Sequence, residues 1–199
     1  MFYEPPHHPL PHDPLKALVA PRPIGWISAL SAAGELNLSP YSFFNQLSSR
    51  PALVMFSSEG RKDAVTFIDE TREFVCNIAT LALADAMNKT SAPLPRGQSE
   101  FVHAGLETAP SRVVKAPRVR AAAAALECRH VDTRQLASAD GRSLDVWMVI
   151  GEVVGVHIDE AFIVDGRVDT ARMQPLARCG YADYAVVDKV FSLARPTSA

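Results

Sequence analysis

Val146-Trp147-Met148-Val149-Ile150-Gly151-Glu152-Val153-Val154-Gly155-Val156-His157-Ile158 is the longest extended signal in the chain and decides its fold class. Val146, Met148, Ile150, Val154, Val156 and Ile158 alternate with Trp147, Val149, Gly151, Val153, Gly155 and His157, the period of two that a strand imposes on its side chains. Both faces are mostly apolar, which predicts a strand buried on both sides in the middle of a closed or covered sheet. Gly151 and Gly155 supply the sharp bends that barrel corners require. No GxGxxG follows any predicted strand, which removes the usual dinucleotide fold. An antiparallel barrel fits better than a doubly wound sheet.

Upstream, Ile24 to Ser31 reads as a strand ended by a turn at Ala32-Ala33-Gly34-Glu35, and Pro51 to Ser57 as a second strand with the apolar run Leu53-Val54-Met55-Phe56. Asp63 to Glu70 is predicted helical, with Asp63 at the N-cap and Val65, Phe67 and Ile68 on the apolar stripe. Glu73 to Ile78 follows as a strand, and Thr80 to Met87 as a second short helix capped by Thr80. Ala121 to Ala125 favours a helix by propensity, but Leu126-Glu127-Cys128-Arg129-His130-Val131 behind it has strand character, and a strand is expected. Val164-Asp165-Gly166-Arg167-Val168 carries the Asp-Gly signature of a tight turn. Residues 1 to 14, rich in Pro and His, cannot sustain a helix or ladder and are expected to form an arm, leaving 15 to 195 as a single domain.

The 199 residues are 48% hydrophobic and 21% charged, the profile of an ordinary soluble globular domain. Twenty basic against 22 acidic side chains leave a net charge of -2, so no global field exists to hold nucleic acid or an anionic membrane, and small molecules or protein partners fit better. Nowhere do about 18 apolar residues run together, so no membrane span is expected, and the N-terminus lacks the features of a secretory signal. Cys76, Cys128 and Cys179 form neither a CxxC pair nor an even-numbered framework. A reducing, cytoplasmic compartment is the expectation.

Two segments carry chemistry beyond structure. Asn37-Leu38-Ser39-Pro40-Tyr41-Ser42-Phe43-Phe44-Asn45 mixes hydroxyls, amides and aromatics, as a planar heteroaromatic cofactor requires for its faces and polar edge. The same composition also suits a β-turn with a packed aromatic cluster. Ser57-Ser58-Glu59-Gly60-Arg61-Lys62-Asp63-Ala64 leaves a strand, turns at a glycine and enters a helix, where backbone amides, hydroxyls and two cations form a phosphate cradle. A solvated charged turn is the alternative. His7, His8 and His12 lack a fourth ligand, so a metal site is not expected. Cys128 and His130 at period two read as a core thiol beside a satisfied imidazole, and no GxSxG elbow supports a hydrolase.

Arg22-Pro23-Ile24-Gly25-Trp26-Ile27-Ser28, the Asn37 to Asn45 block and Lys62-Asp63, in this order and at these separations, resemble the flavin reductase-like FMN-binding family. So do Phe74-Val75-Cys76-Asn77-Ile78, Ala86 to Ser91, Pro110 to Val114, Leu126-Glu127-Cys128, Ile150 to Val153, and Leu176 through Tyr184, so that the likeness runs over about residues 15 to 195. The resemblance implies a mainly β, antiparallel, Greek-key split β-barrel that works as a homodimer, with FMN near the subunit interface. Carried over by position, Trp26, Ser28 and the segment Ser39, Pro40, Tyr41, Ser42, Phe44 and Asn45 would surround the ring and ribityl chain. Ser57, Arg61, Lys62, Asp63 and Ala64 would hold the phosphate, Asn88 and Ser91 would approach the cofactor, and Arg178 and Tyr184 would lie over or beside it. A helix C-cap is an alternative role for Asn88. The family often has threonine where this chain has Ala64, so one hydroxyl to the phosphate is absent.

The implied activity is transfer of hydride from NAD(P)H, a transient co-substrate, to FMN, with the cofactor supplying the reactive chemistry. No side chain is required as general acid or base, and none is assigned as catalytic. Reduced flavin would then serve a monooxygenase or another acceptor. A flavin-binding electron carrier that does not itself oxidise NAD(P)H is the alternative from a different class. A pyridoxamine-phosphate-oxidase-like enzyme is a third, disfavoured by the Tyr41-Ser42-Phe43-Phe44-Asn45 block.

Overall fold

A computed structural model describes residues 1–5 and 7–196. The chain runs α1 (Leu15–Leu18), β1 (Arg22–Pro23), β2 (Gly25–Leu30), β3 (Leu36–Tyr41), β4 (Phe44–Ser49), β5 (Ala52–Glu59), α2 (Asp63–Thr71) and β6 (Glu73–Ile78). After a 3-10 turn at Leu81–Leu83 come α3 (Ala84–Lys89), α4 (Glu100–Ala104), β7 (Thr108–Ala109), β8 (Arg118–Val119), β9 (Ala124–Ala137) and β10 (Ser143–Ile158). The hairpin β11 (Ile163–Val164) and β12 (Arg167–Val168), then α5 (Thr170–Met173), β13 (Leu176–Arg178) and β14 (Tyr184–Val186), complete it. Seven strands form one antiparallel sheet in the order β3-β2-β6-β9-β10-β5-β4, and β1-β13-β14 form a small second sheet.

The large sheet curls into a split barrel because residues from its distant strands share one core. Tyr41 of β3 and Phe56 of β5 bring their ring centroids within 4.6 Å, and both pack with Ile27, Phe74 and Val149 around Val65, Phe67 and Ile68 of α2. Strand β2 is buried on both faces. Ile27 and Ala29 join the barrel core, whereas Trp26 belongs to a second core with Leu38, Met87, Phe101 and Leu176 beneath α3, α4 and the small sheet.

The predicted helix at Asp63 and the strand Glu73–Ile78 form as read, and Asp165-Gly166 makes the tight turn with positive φ at both residues. Gly151 and Gly155 mark register shifts of β10 against β9. At Gly151 the reason is contact, since an added Cβ would stand 2.4 Å from Phe74 Cζ. The alanine run enters β9 at Ala124, with Ala121 outside it.

Four expectations are corrected. Lys62, not Asp63, is the N-cap of α2, and no side chain caps it. Asp63 instead places its charge in the first helical turn, where it favours the helix dipole. Thr80 makes no side-chain cap bond, and the segment behind it winds first as a 3-10 turn and then as α3, capped at Thr90 rather than Asn88. Strand β10 is central in the sheet, but Val149 and Gly151 are its only buried residues. The cause is geometric: β5 pairs with β10 only between Val146 and Glu152, so Val153–Ile158 continues as a ribbon with β9 alone.

Candidate cofactor cavity

A cavity of about 420 Å³ opens where the β3–β4 turn, the end of β5, the end of α3 and the small sheet converge. This is within the range of small-molecule sites. Pro40, Tyr41, Ser42 and Phe43 form one wall, and Ser57, Glu59 and Lys62 a second. Met87, Asn88 and Ser91 line the side toward α3, while Arg178, Cys179, Tyr181 and Tyr184 line the side toward the C-terminus. Lys16, Arg22 and Ile24 complete it.

Backbone contacts fix the second wall. Ser57 N–H donates to the Phe43 carbonyl at 2.8 Å, and Gly60 N–H to the Asp145 carbonyl at 2.8 Å. Gly60 has φ +87°, which disfavours any side chain there, and the Ser58 hydroxyl donates to its carbonyl at 2.8 Å. The chain then enters α2 without a side-chain cap, so the first helical N–H groups remain available to solvent or an anion.

The cavity is cationic. Lys16, Arg22, Lys62 and Arg178 line it against the single carboxylate Glu59, whose Oε1 lies 3.9 Å from Lys16 Nζ. Arg22 is buried, donating to the carbonyls of Lys16 at 2.5 Å and Cys179 at 2.8 Å, and to that of Val19. Those bonds tie α1 and the C-terminal segment to β1. The guanidinium of Arg178 lies 4.4 Å from the Tyr184 ring centroid and donates to the Tyr181 carbonyl at 2.6 Å. The hydroxyl of Tyr41 is buried without a hydrogen-bond partner, and burial raises its pKa to about 12. It therefore stays protonated, a donor at neutral pH.

Of the residues singled out in the sequence, Pro40, Tyr41, Ser42, Ser57, Lys62, Asn88, Ser91, Arg178 and Tyr184 line this cavity. The others lie elsewhere. Trp26 is fully buried and donates from Nε1 to Thr90 Oγ1 at 2.9 Å. Ser28 is buried, donating to the Pro117 carbonyl at 2.6 Å. Ser39 faces Asn37 Oδ1 at 3.4 Å. Phe44 packs on the barrel core, so close to Gly25 that a Cβ there would sit 2.6 Å from its ring. Asn45 is exposed and accepts from Gln46 N–H at 2.8 Å. Arg61 pairs with Asp69, Asp63 begins α2, and Ala64 is buried in the barrel core. Phe43 and Glu59 line the cavity from within the two segments singled out, whereas Lys16, Arg22, Cys179 and Tyr181 line it without having been assigned a site role.

Comparison with known proteins agrees with this architecture. The family described as "Flavin reductase like domain" matches residues 18–171. An uncharacterized protein of Deinococcus radiodurans is 37% identical over 198 residues, covering 93% of this chain and 84% of its own. Nitrilotriacetate monooxygenase component B from Bacillus cereus superposes with a TM-score of 0.87 at 30% identity, covering 97% of this chain and 98% of its own. A protein of Shewanella frigidimarina with a split barrel domain superposes with a TM-score of 0.82 at 23% identity, covering 92% of this chain and 90% of its own, and is similar in fold.

Proposed function

Because the chain belongs to the flavin reductase-like domain family, we propose that the cavity holds FMN and that the protein is an oxidoreductase passing electrons from NAD(P)H through that flavin. The observation that carries this reading is the set of four cationic side chains, Lys16, Arg22, Lys62 and Arg178, around one mixed polar and aromatic cavity. Lys62 and Ser57 hold the phosphate. Tyr41, Ser42, Phe43, Asn88 and Ser91 form the walls for the ring and its side chain, and Arg178 with Tyr184 closes the far edge. Bound FMN would supply the redox chemistry, exchanging electrons with a nicotinamide. The protein's own contribution is placement and charge, the cations offsetting the phosphate.

We also propose that the protein works as a homodimer, as membership of the flavin reductase-like family implies. The likeness to a monooxygenase component supports a monooxygenase as the acceptor. No helix among the described residues is long and apolar enough to cross a membrane, which accords with the proposed cytoplasmic setting.

The visible spectrum of freshly purified protein tests the cofactor, with a flavin absorption band and release of FMN on heating expected. Anaerobic NADH or NADPH then tests the activity. Bleaching at turnover-like rates is expected; a persistent yellow colour points to a carrier that is not itself a nicotinamide oxidase. A colourless protein that takes up no added FMN removes both readings.

A further inference from the structure

A second cavity, of about 560 Å³, shares no residue with the first and lies between the loop before β9 and the end of β10. Its charge follows from how one buried carboxylate is used. Glu127 projects from β9 and accepts from the backbone N–H groups of Arg112 at 2.8 Å, Val113 at 2.6 Å and Val114 at 2.9 Å, and it also bonds His157 Nε2. Gly155 opposite leaves the room, since an added Cβ would lie 3.3 Å from Glu127 Cδ. The carboxylate's acceptor sites are thus taken up by backbone and histidine donors, and it forms no ion pair with the arginines around it.

Arg112, Arg118 and Arg120 line the cavity. Arg120 pairs with Glu107 at 2.9 Å. Among the described residues Arg112 and Arg118 have no ion pair, and the Nε of Arg118 is buried without a hydrogen-bond partner. Asp159, the other acid in the lining, has its Oδ1 engaged by the Ala161 N–H at 3.0 Å. Two unpaired guanidinium forks match a dianionic oxyanion in charge and geometry. The volume exceeds that of a free ion, and Val113, Val156 and Ile158 offer apolar surface beside the cations.

We propose that this cavity is a second ligand site, for a phosphate ester whose phosphate is held by Arg112 and Arg118 and whose organic body lies on the apolar shelf. The inference is independent of what the first cavity binds.

Calorimetric titration of the full chain with ADP, with and without saturating FMN, tests it. One ADP per chain is expected in both conditions, with inorganic phosphate binding more weakly than ADP because it lacks a body for the shelf. Arg112→Gln, at an exposed position that leaves the fold intact, and Arg118→Gln should each weaken ADP by roughly tenfold or more. Absence of ADP binding overturns the proposal. So does binding that FMN abolishes, binding unchanged in both variants, or inorganic phosphate binding as tightly as ADP.

Discussion

Arg61 is held by the carboxylate of Asp69, with its guanidinium 4.7 Å from the Trp147 ring centroid, so that of the two adjacent cations only Lys62 lines the first cavity. The Thr133 hydroxyl donates to the same carboxylate at 2.6 Å, fixing the acceptor and hence the direction in which Arg61 points. The two residues are neighbours in sequence and separate in function. Lys62→Ala should therefore weaken FMN binding roughly tenfold or more, the loss of one charge-assisted contact worth ~1.5–3 kcal/mol. Arg61→Ala should change it far less. Titration by flavin fluorescence quenching measures both, and equal losses in the two variants would contradict this division.

Thr90 connects the second core to the cavity wall. Its hydroxyl accepts from Trp26 Nε1 at 2.9 Å and donates to the Met87 carbonyl at 2.7 Å, which pins the end of α3 that carries Asn88 and the residue just beyond its cap, Ser91. Thr90→Val keeps the shape and removes the acceptor, leaving a buried indole N–H unpaired at a cost of about 1–3 kcal/mol. A lowered urea midpoint is expected for Thr90→Val and a near-native one for Thr90→Ser. If valine and serine behave alike, the hydrogen bond is not what holds the helix.

These contacts also show why the sequence was legible only in part. Strand β6 and helix α2 carry complete apolar patterns that local reading resolves. Strands β3 and β4 do not, because they are the two edges of the sheet. An edge strand tolerates Pro40 and a run of polar residues that break the alternation. The small sheet pairs Arg22 with Arg178 in strands of two or three residues, too short for any period. Likewise Ser42, Ser57 and Lys62 reach the cavity from segments whose composition announces a polar site, whereas Lys16, Arg22 and Cys179 arrive there only through tertiary contact. Trp26 and Ser28 point away for a related reason: β2 is covered on both faces, which its own residues do not reveal.

Gly180 bears on the same corner. A Cβ built there would lie 2.5 Å from Ala17 Cβ, 2.7 Å from Ala17 Cα and 2.8 Å from its nitrogen, so the obstacle is largely backbone and no rotamer change relieves it. Gly180→Ala should push α1 off the C-terminal segment and cost about 1–3 kcal/mol through overpacking. The neighbours of Gly180, Cys179 and Tyr181, line the cavity, so FMN affinity should fall with the melting temperature. An unchanged melting temperature would mean that α1 docks elsewhere in solution.

Glu127 contributes stability that is lost at acid pH. Burial raises its pKa, but the N–H of Arg112, the His157 ring, and the N–H groups of Val113 and Val114 together outweigh burial and hold it at about 2, against an ordinary 4.5. A depressed folded-state pKa means that the unfolded chain binds the proton first as pH falls. The stabilisation is therefore complete above about pH 4.5 and is lost progressively between about pH 4.5 and 2. Glu127→Gln turns an amide NH2 toward backbone donors and should cost about 1–3 kcal/mol at neutral pH. Because glutamine does not titrate, the gap in urea midpoint between wild type and variant should narrow as pH drops through that window. Parallel curves from pH 7 down to about pH 3 would show that the carboxylate ionises no more readily in the folded protein than in the unfolded chain.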